Sequence, residues 1–83
     1  MLDEAFKSAK QKTVGVKQTQ RALEKGLARR VYVAQDAEAP VVRPIIELCQ
    51  NRRVELVKVA SMAELGKACG IEVGAAVVAI LAD

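Results

Sequence analysis

The segment Gly15-Val16-Lys17-Gln18-Thr19-Gln20-Arg21-Ala22-Leu23-Glu24-Lys25-Gly26, followed shortly by Val31-Tyr32-Val33-Ala34, sets the reading of this chain. The first run predicts a helix from about Val16 to Lys25 that buries Ala22 and Leu23. Gly26 ends it, because glycine takes the left-handed position after a helix at little cost. The second run is β-branched and mostly apolar, and predicts a buried strand. A helix leading into a buried strand is the unit of an α/β fold, and the rest of the chain continues the alternation.

Upstream, Leu2 to Lys10 places Leu2, Ala5, Phe6 and Ala9 at helical spacing, and Thr13-Val14 predicts a very short strand. Downstream, the loop Gln35 to Pro40 carries Asp36 and Glu38. A helix then runs to about Asn51, starting or bending at Pro44, which lacks a backbone amide. Ile45, Leu48 and Cys49 form its inner stripe, and Asn51 is its stop. Val54 to Val59 predicts a third strand, with Glu55 and Lys58 marking exposed positions. Ser61-Met62-Ala63-Glu64 matches a capping box opening a helix that ends at Gly70. Ala75 to Leu81 is apolar on both faces and predicts a central strand. The alternation implies a three-layer α/β/α sandwich in a single domain spanning residues 1–83.

Lys17, Arg21 and Lys25 lie four residues apart, so a helix stacks them on one side. Like charges at that spacing repel and weaken an isolated helix. Keeping three together points to a negatively charged partner; the alternative is a solvated helix face. The helix entrance adds to this. Gly15 and Val16 occupy the cap positions and offer no side-chain acceptor, although Thr13 could cap from outside. Open amides at the positive end of a helix dipole suit an anionic phosphate.

Charge is unevenly distributed. The net charge is +3, yet residues 1–30 hold eight basic and three acidic side chains, a net of +5. Residues 31–83 hold five basic and seven acidic, a net of −2. That asymmetry predicts one electropositive face and a polyanionic partner. Aromatic residues are only Phe6 and Tyr32, which argues against a single-strand binder that stacks bases on aromatic platforms. Cys49 and Cys69 are far apart and there is no histidine, so a zinc site lacks ligands. The cysteines read as small core residues of a protein in a reducing, cytoplasmic compartment. No leader pattern opens the chain, and the longest apolar run, Val73 to Ala82, is far short of the roughly 20 residues of a membrane helix.

Three stretches carry a resemblance: Gly15-Val16-Lys17-Gln18-Thr19, Glu24-Lys25-Gly26, and Leu65-Gly66-Lys67-Ala68-Cys69-Gly70-Ile71-Glu72-Val73-Gly74-Ala75. From about Lys12 to Leu81 the chain resembles the ribosomal protein L7Ae family, most of all its small bacterial members. That family has the L30e-like fold and binds kink-turn RNA. The resemblance implies an RNA surface made of the start of the basic helix and the loop before the last strand. Gly15, Lys17, Gln18 and Arg21 match positions that meet tandem sheared G·A pairs, and Lys25 matches a phosphate contact. Ile71, Glu72 and Val73 match an apolar loop that packs on bases of the bulge. Glu38 matches an acidic position near a flipped-out nucleotide. Lys17-Gln18 stands where archaeal and eukaryotic members carry Asn-Glu, and Met62 stands where many carry Lys. Read from the residues alone, Ile71 to Val73 is a β-branched lead-in to a strand. Gly66 and Gly70 read as packing and helix-stop residues, and Leu65, Ala68 and Cys69 as core.

Regular RNA duplexes hide their base edges in a deep, narrow groove, so specific recognition targets bulges and loops. A basic helix with open amides can meet concentrated phosphate charge while the Gln18 amide reads base edges. The expected function is therefore a non-catalytic RNA-binding protein for kink-turn RNA, in ribosomal RNA, a riboswitch or another folded RNA. A monomer with no cofactor is expected. The alternative is a ribosome-associated or scaffolding protein that contacts mainly protein. An enzyme would need a nucleophile, a base or a metal, and the sequence offers no such set.

Overall fold

In the computed structural model, which describes residue 6 and residues 11–81, strands and helices alternate. Strand β1 (Lys12–Val14), helix α1 (Val16–Glu24), strand β2 (Ala28–Ala34) and helix α2 (Ala39–Arg52) come first. Strand β3 (Glu55–Val59), helix α3 (Met62–Ala68) and strand β4 (Val77–Leu81) follow. The strands form one sheet in the order β1-β4-β2-β3. β4 pairs antiparallel with both β1 and β2, whereas β2 and β3 run parallel.

Side chains on a strand alternate between faces, and here the alternation builds two cores. Val31, Val33, Val77 and Ala79 meet Leu23 of α1 and Val42, Ile45 and Cys49 of α2. Tyr32, Ala34, Val78 and Ile80 meet Phe6, Val59 and Leu65 of α3 on the other face. Burial on both faces is why Val31 to Ala34 of β2 and all of β4 read as unbroken apolar runs. The result is the expected α/β/α sandwich around a small mixed sheet. Phe6 is helical and buried, edge-on to Tyr32 with ring centroids 4.9 Å apart. The rest of the helix expected over residues 2–10 lies outside the described residues.

Some boundaries differ from expectation. α2 begins at Ala39 and runs through Pro44. Pro40 already supplies the start, since a proline in the first turn lacks an amide that no helix bond needs. The Glu38 carbonyl accepts from the Val41 and Val42 amides at 3.0 and 3.3 Å and closes that first turn. The helix passes Asn51 and stops at Arg53, which takes φ 57°, ψ 38°. β4 begins at Val77 rather than Ala75, because the Ala75 amide donates to the Met62 carbonyl instead of the sheet. Ala68, expected in the core, is exposed. The N-terminus of α3 has two side-chain caps. Ser61 Oγ accepts from the Glu64 amide at 3.1 Å, as the capping box predicts, and Asp36 Oδ1 accepts from the Met62 amide at 2.7 Å. The second cap comes from a loop 26 residues away in sequence, which local spacing does not reveal.

Candidate nucleic-acid interface

α1 opens at Gly15, whose φ of 104° and ψ of 162° lie where residues with a Cβ rarely go. Gly15 makes no side-chain capping bond, and the first turn holds no acidic residue. Thr13, the alternative cap, shares its hydroxyl hydrogen bond with Thr19 at 3.1 Å, and Thr19 is fully buried. Among the described residues, no side chain accepts from the first-turn amides, which lie at the positive end of the dipole.

The same glycine ties the helix to the other half of the expected surface. The Gly15 amide donates to the Val77 carbonyl at 2.9 Å, and the Ala34 amide donates to the Ala76 carbonyl at 2.9 Å. The start of α1, the start of β4 and the end of β2 thus share one end of the sheet. The Ile71–Val73 loop leads into β4 there, and Glu38 follows β2 as the N-cap residue of α2. Glu38 is exposed, and its side chain makes no capping hydrogen bond. Lys25 is the outlier, because it is the C-cap of α1. At 1.5 Å per residue it lies about 12 Å along the helix from Lys17.

Lys17, Gln18, Arg21 and Lys25 are all exposed, while Thr19, Ala22 and Leu23 form the buried stripe. Among the described residues, no carboxylate pairs with Lys17, Arg21 or Lys25. Lys17 and Arg21 line a shallow depression with Gln20 and Glu24. A cationic strip beside open amides attracts a phosphate backbone without needing to break internal ion pairs.

The exposed apolar surface of the loop is narrower than the resemblance implies. Val73 is 71% exposed, but Ile71 is half-buried and packs on the core around Leu65 and Phe6. The Ile71 amide donates to the Gly66 carbonyl at 3.1 Å, which folds the loop back onto α3. Only Val73 offers a fully presented apolar side chain, with Glu72 exposed beside it. An open groove next to the loop is lined by Asp36, Met62, Lys67, Ile71 and Glu72. Sequence reading did not single out Lys67 as a site residue. Its signal was its charge four residues before Ile71, inside the motif already quoted.

The thiols have the character of core residues. Burial pushes the Cys49 thiol up to about 11, and burial also raises that of Cys69, against a smaller opposing effect of Lys12. Both are protonated at neutral pH and are weak nucleophiles. Among the described residues, no group of His, Cys, Asp and Glu side chains could hold a metal ion. No helix among them is long and apolar enough to cross a membrane.

Comparison with known proteins agrees with this architecture. The model of the ribosomal protein L7Ae/L30e/S12e/Gadd45 family matches residues 2–83. A protein from Geobacillus stearothermophilus named RNA-binding protein YbxF is 50% identical over 68 residues, covering 82% of this chain and 83% of that protein. An RNA-binding protein of Bacillus pumilus is 46% identical over 68 residues, covering the same shares. Among solved structures, the Giardia lamblia 15.5kD RNA binding protein superposes with a TM-score of 0.82 at 26% identity. That likeness covers 95% of this chain, which spans 65% of the Giardia protein. With half of the matched positions identical in a bacterial relative of similar length, and with the family model spanning nearly every residue, the chain belongs to the ribosomal protein L7Ae/L30e/S12e/Gadd45 family.

Proposed function

We infer that this chain is a non-catalytic RNA-binding protein that recognises and stabilises kink-turn RNA, acting in the cytoplasm as a monomer folded as one domain. The observation that carries the reading is the junction at Gly15. An uncapped, basic helix start is hydrogen-bonded to the strand that the exposed Val73 loop enters. Phosphate affinity and contact with unstacked bases are thereby held side by side on rigid backbone.

In this account Lys17, Arg21 and Lys25 neutralise backbone phosphates. The Gly15 end supplies open amides, and the Gln18 amide reads base edges at the G·A pairs. Val73 covers a base of the bulge, Ile71 holds the loop in place, and Glu72 and Glu38 flank the displaced nucleotides. Bacterial relatives named as RNA-binding proteins support the reading. The cellular RNA is a folded molecule containing a kink-turn, such as a ribosomal RNA or a riboswitch.

The test is a titration of the purified protein against a kink-turn duplex and the same duplex with its G·A pairs replaced by Watson–Crick pairs. Clear preference for the kink-turn is expected. Equal affinity for both duplexes, or binding to neither, would overturn the reading in favour of a scaffold that contacts mainly protein.

A further inference from the structure

At the opposite end of the sheet, two backbone irregularities each carry an arginine. Ala28 pairs with Leu81 and Arg30 pairs with Ile80, so the register of β2 against β4 slips at Arg29. Such a bulge leaves its extra residue unpaired and re-aims the side chain. At the end of α2, Arg53 occupies the left-handed region, where glycine is the low-strain choice. Among the described residues it is the only non-glycine residue with positive φ.

The parallel pairing of β2 with β3 brings these positions together. Arg30 lies opposite Glu55, so Arg29, one residue before Arg30, and Arg53, two residues before Glu55, sit near each other on adjacent chain segments. Neighbouring strands are about 4.8 Å apart. Arg52, the last residue of α2, adds a third cation. All three are exposed, and among the described residues none is in an ion pair. Of the acids at this end, Glu55 is already engaged by Arg30, with Nη2 to Oε1 at 2.7 Å, and Glu24, the last residue of α1, is exposed. α1 also ends here, at Lys25, so the basic strip of α1 leads from the kink-turn surface to this patch.

Ordinary structural causes explain less. The negative end of the α2 dipole favours Arg52 and Arg53, but Arg29 lies on a strand. A merely solvated surface has no need of an arginine in a conformation that costs it strain.

We propose that Arg29, Arg52 and Arg53 form a second RNA contact, which holds the phosphate backbone of a duplex stem leading away from the kink. The proposal rests on the RNA-binding reading above. The molecule is 29 Å in its longest extent, comparable to one turn of an A-form RNA duplex, so a stem lying along α1 reaches both ends. Arginines without neighbouring base-reading partners contribute backbone affinity and salt dependence rather than sequence choice.

The test uses a kink-turn RNA with short stems, the same RNA with either stem extended by one helical turn, and a plain duplex. Wild-type protein is expected to bind one extended RNA more tightly than the short one. Its log–log salt slope on that RNA should be steeper by about 2–3 units, from three added phosphate contacts. The combined Arg29→Gln, Arg52→Gln and Arg53→Gly variant should lose this gain and keep wild-type affinity for the short-stem RNA. Arg53→Gly relaxes the backbone, so the variant's thermal midpoint serves as a folding control. Equal losses on short and extended RNAs, or no loss on either, would overturn the patch. If wild type shows no kink preference, the function proposed above fails. The plain duplex then decides the patch, which stands if wild type binds it and the variant does not, and falls otherwise.

Discussion

Gly66 of α3 lies against the Val73 carbonyl so closely that a Cβ at position 66 would come within 3.0 Å of that oxygen. The obstacle is backbone, which cannot step aside as a flexible side chain can. The glycine lets the loop before β4 fold onto α3, and that packing presents Val73 to solvent. Gly66→Ala is expected to destabilise the protein by about 1–3 kcal/mol through overpacking. It should also weaken RNA binding, because the loop moves. An unchanged thermal midpoint with unchanged affinity would contradict this role for Gly66.

The two apolar residues of the loop should separate cleanly. Val73→Ala removes an exposed side chain, so stability should stay within about 0.5 kcal/mol of wild type while RNA affinity falls. Ile71→Ala removes a side chain packed on the core and should destabilise by about 1–3 kcal/mol, less than a fully buried isoleucine. Neither change should alter the salt slope of RNA binding, since neither touches a phosphate. Chemical denaturation and salt-dependent binding on both variants check the division.

Arg21 sits mid-strip, exposed and without an ion-pair partner among the described residues. Arg21→Ala should weaken kink-turn binding by about 1–3 kcal/mol, the range of a charge-assisted contact. Alanine has the best helix propensity, so the fold should be retained. A gel-shift titration that returns wild-type affinity, with a normal circular dichroism spectrum, would remove Arg21 from the interface.

Most of the fold was legible because its core strands are buried on both faces. Val31 to Ala34 and the run ending at Leu81 announce themselves by continuous apolarity. Gly15 and Gly26 mark the ends of α1 through backbone conformations that local sequence does encode. What escaped depended on partners distant in the chain or on competing local signals. Asp36 caps α3 across 26 residues, Pro40 overrode Pro44 as the helix start, and Arg53 rather than Asn51 took the left-handed stop. At the proposed site, spacing put Lys17 and Arg21 on one helix face and the family resemblance added Gln18, but only the fold shows Ile71 turning inward while Val73 turns out.

Cys49 makes stability depend on pH. Its thiol moves from 9.0 to about 11 on folding, because burial disfavours the thiolate. A folded value above the unfolded one means that the contribution is complete below about pH 9 and is lost as pH rises through about 11. Cys49→Ala should cost about 1–2 kcal/mol at pH 7 through the small cavity it leaves. That deficit should shrink as pH rises from 9 to 11, by at most about 2–3 kcal/mol. Parallel denaturation curves across that range test it, and a constant difference between the two proteins would contradict it.

The central claim is that the start of α1 reads the kink through Gln18, and a thermodynamic cycle addresses it most directly. Four affinities are measured: wild type and Gln18→Ala, each against a kink-turn RNA and the same RNA with its G·A pairs replaced. Gln18 carries no charge, so its contribution must come through hydrogen bonds to groups that the G·A pairs expose. The account predicts strong coupling, with Gln18→Ala costing about 1–2 kcal/mol on the kink-turn and close to nothing once the pairs are gone. Additive losses, with Gln18→Ala costing the same on both RNAs, would show that this helix start does not read the kink.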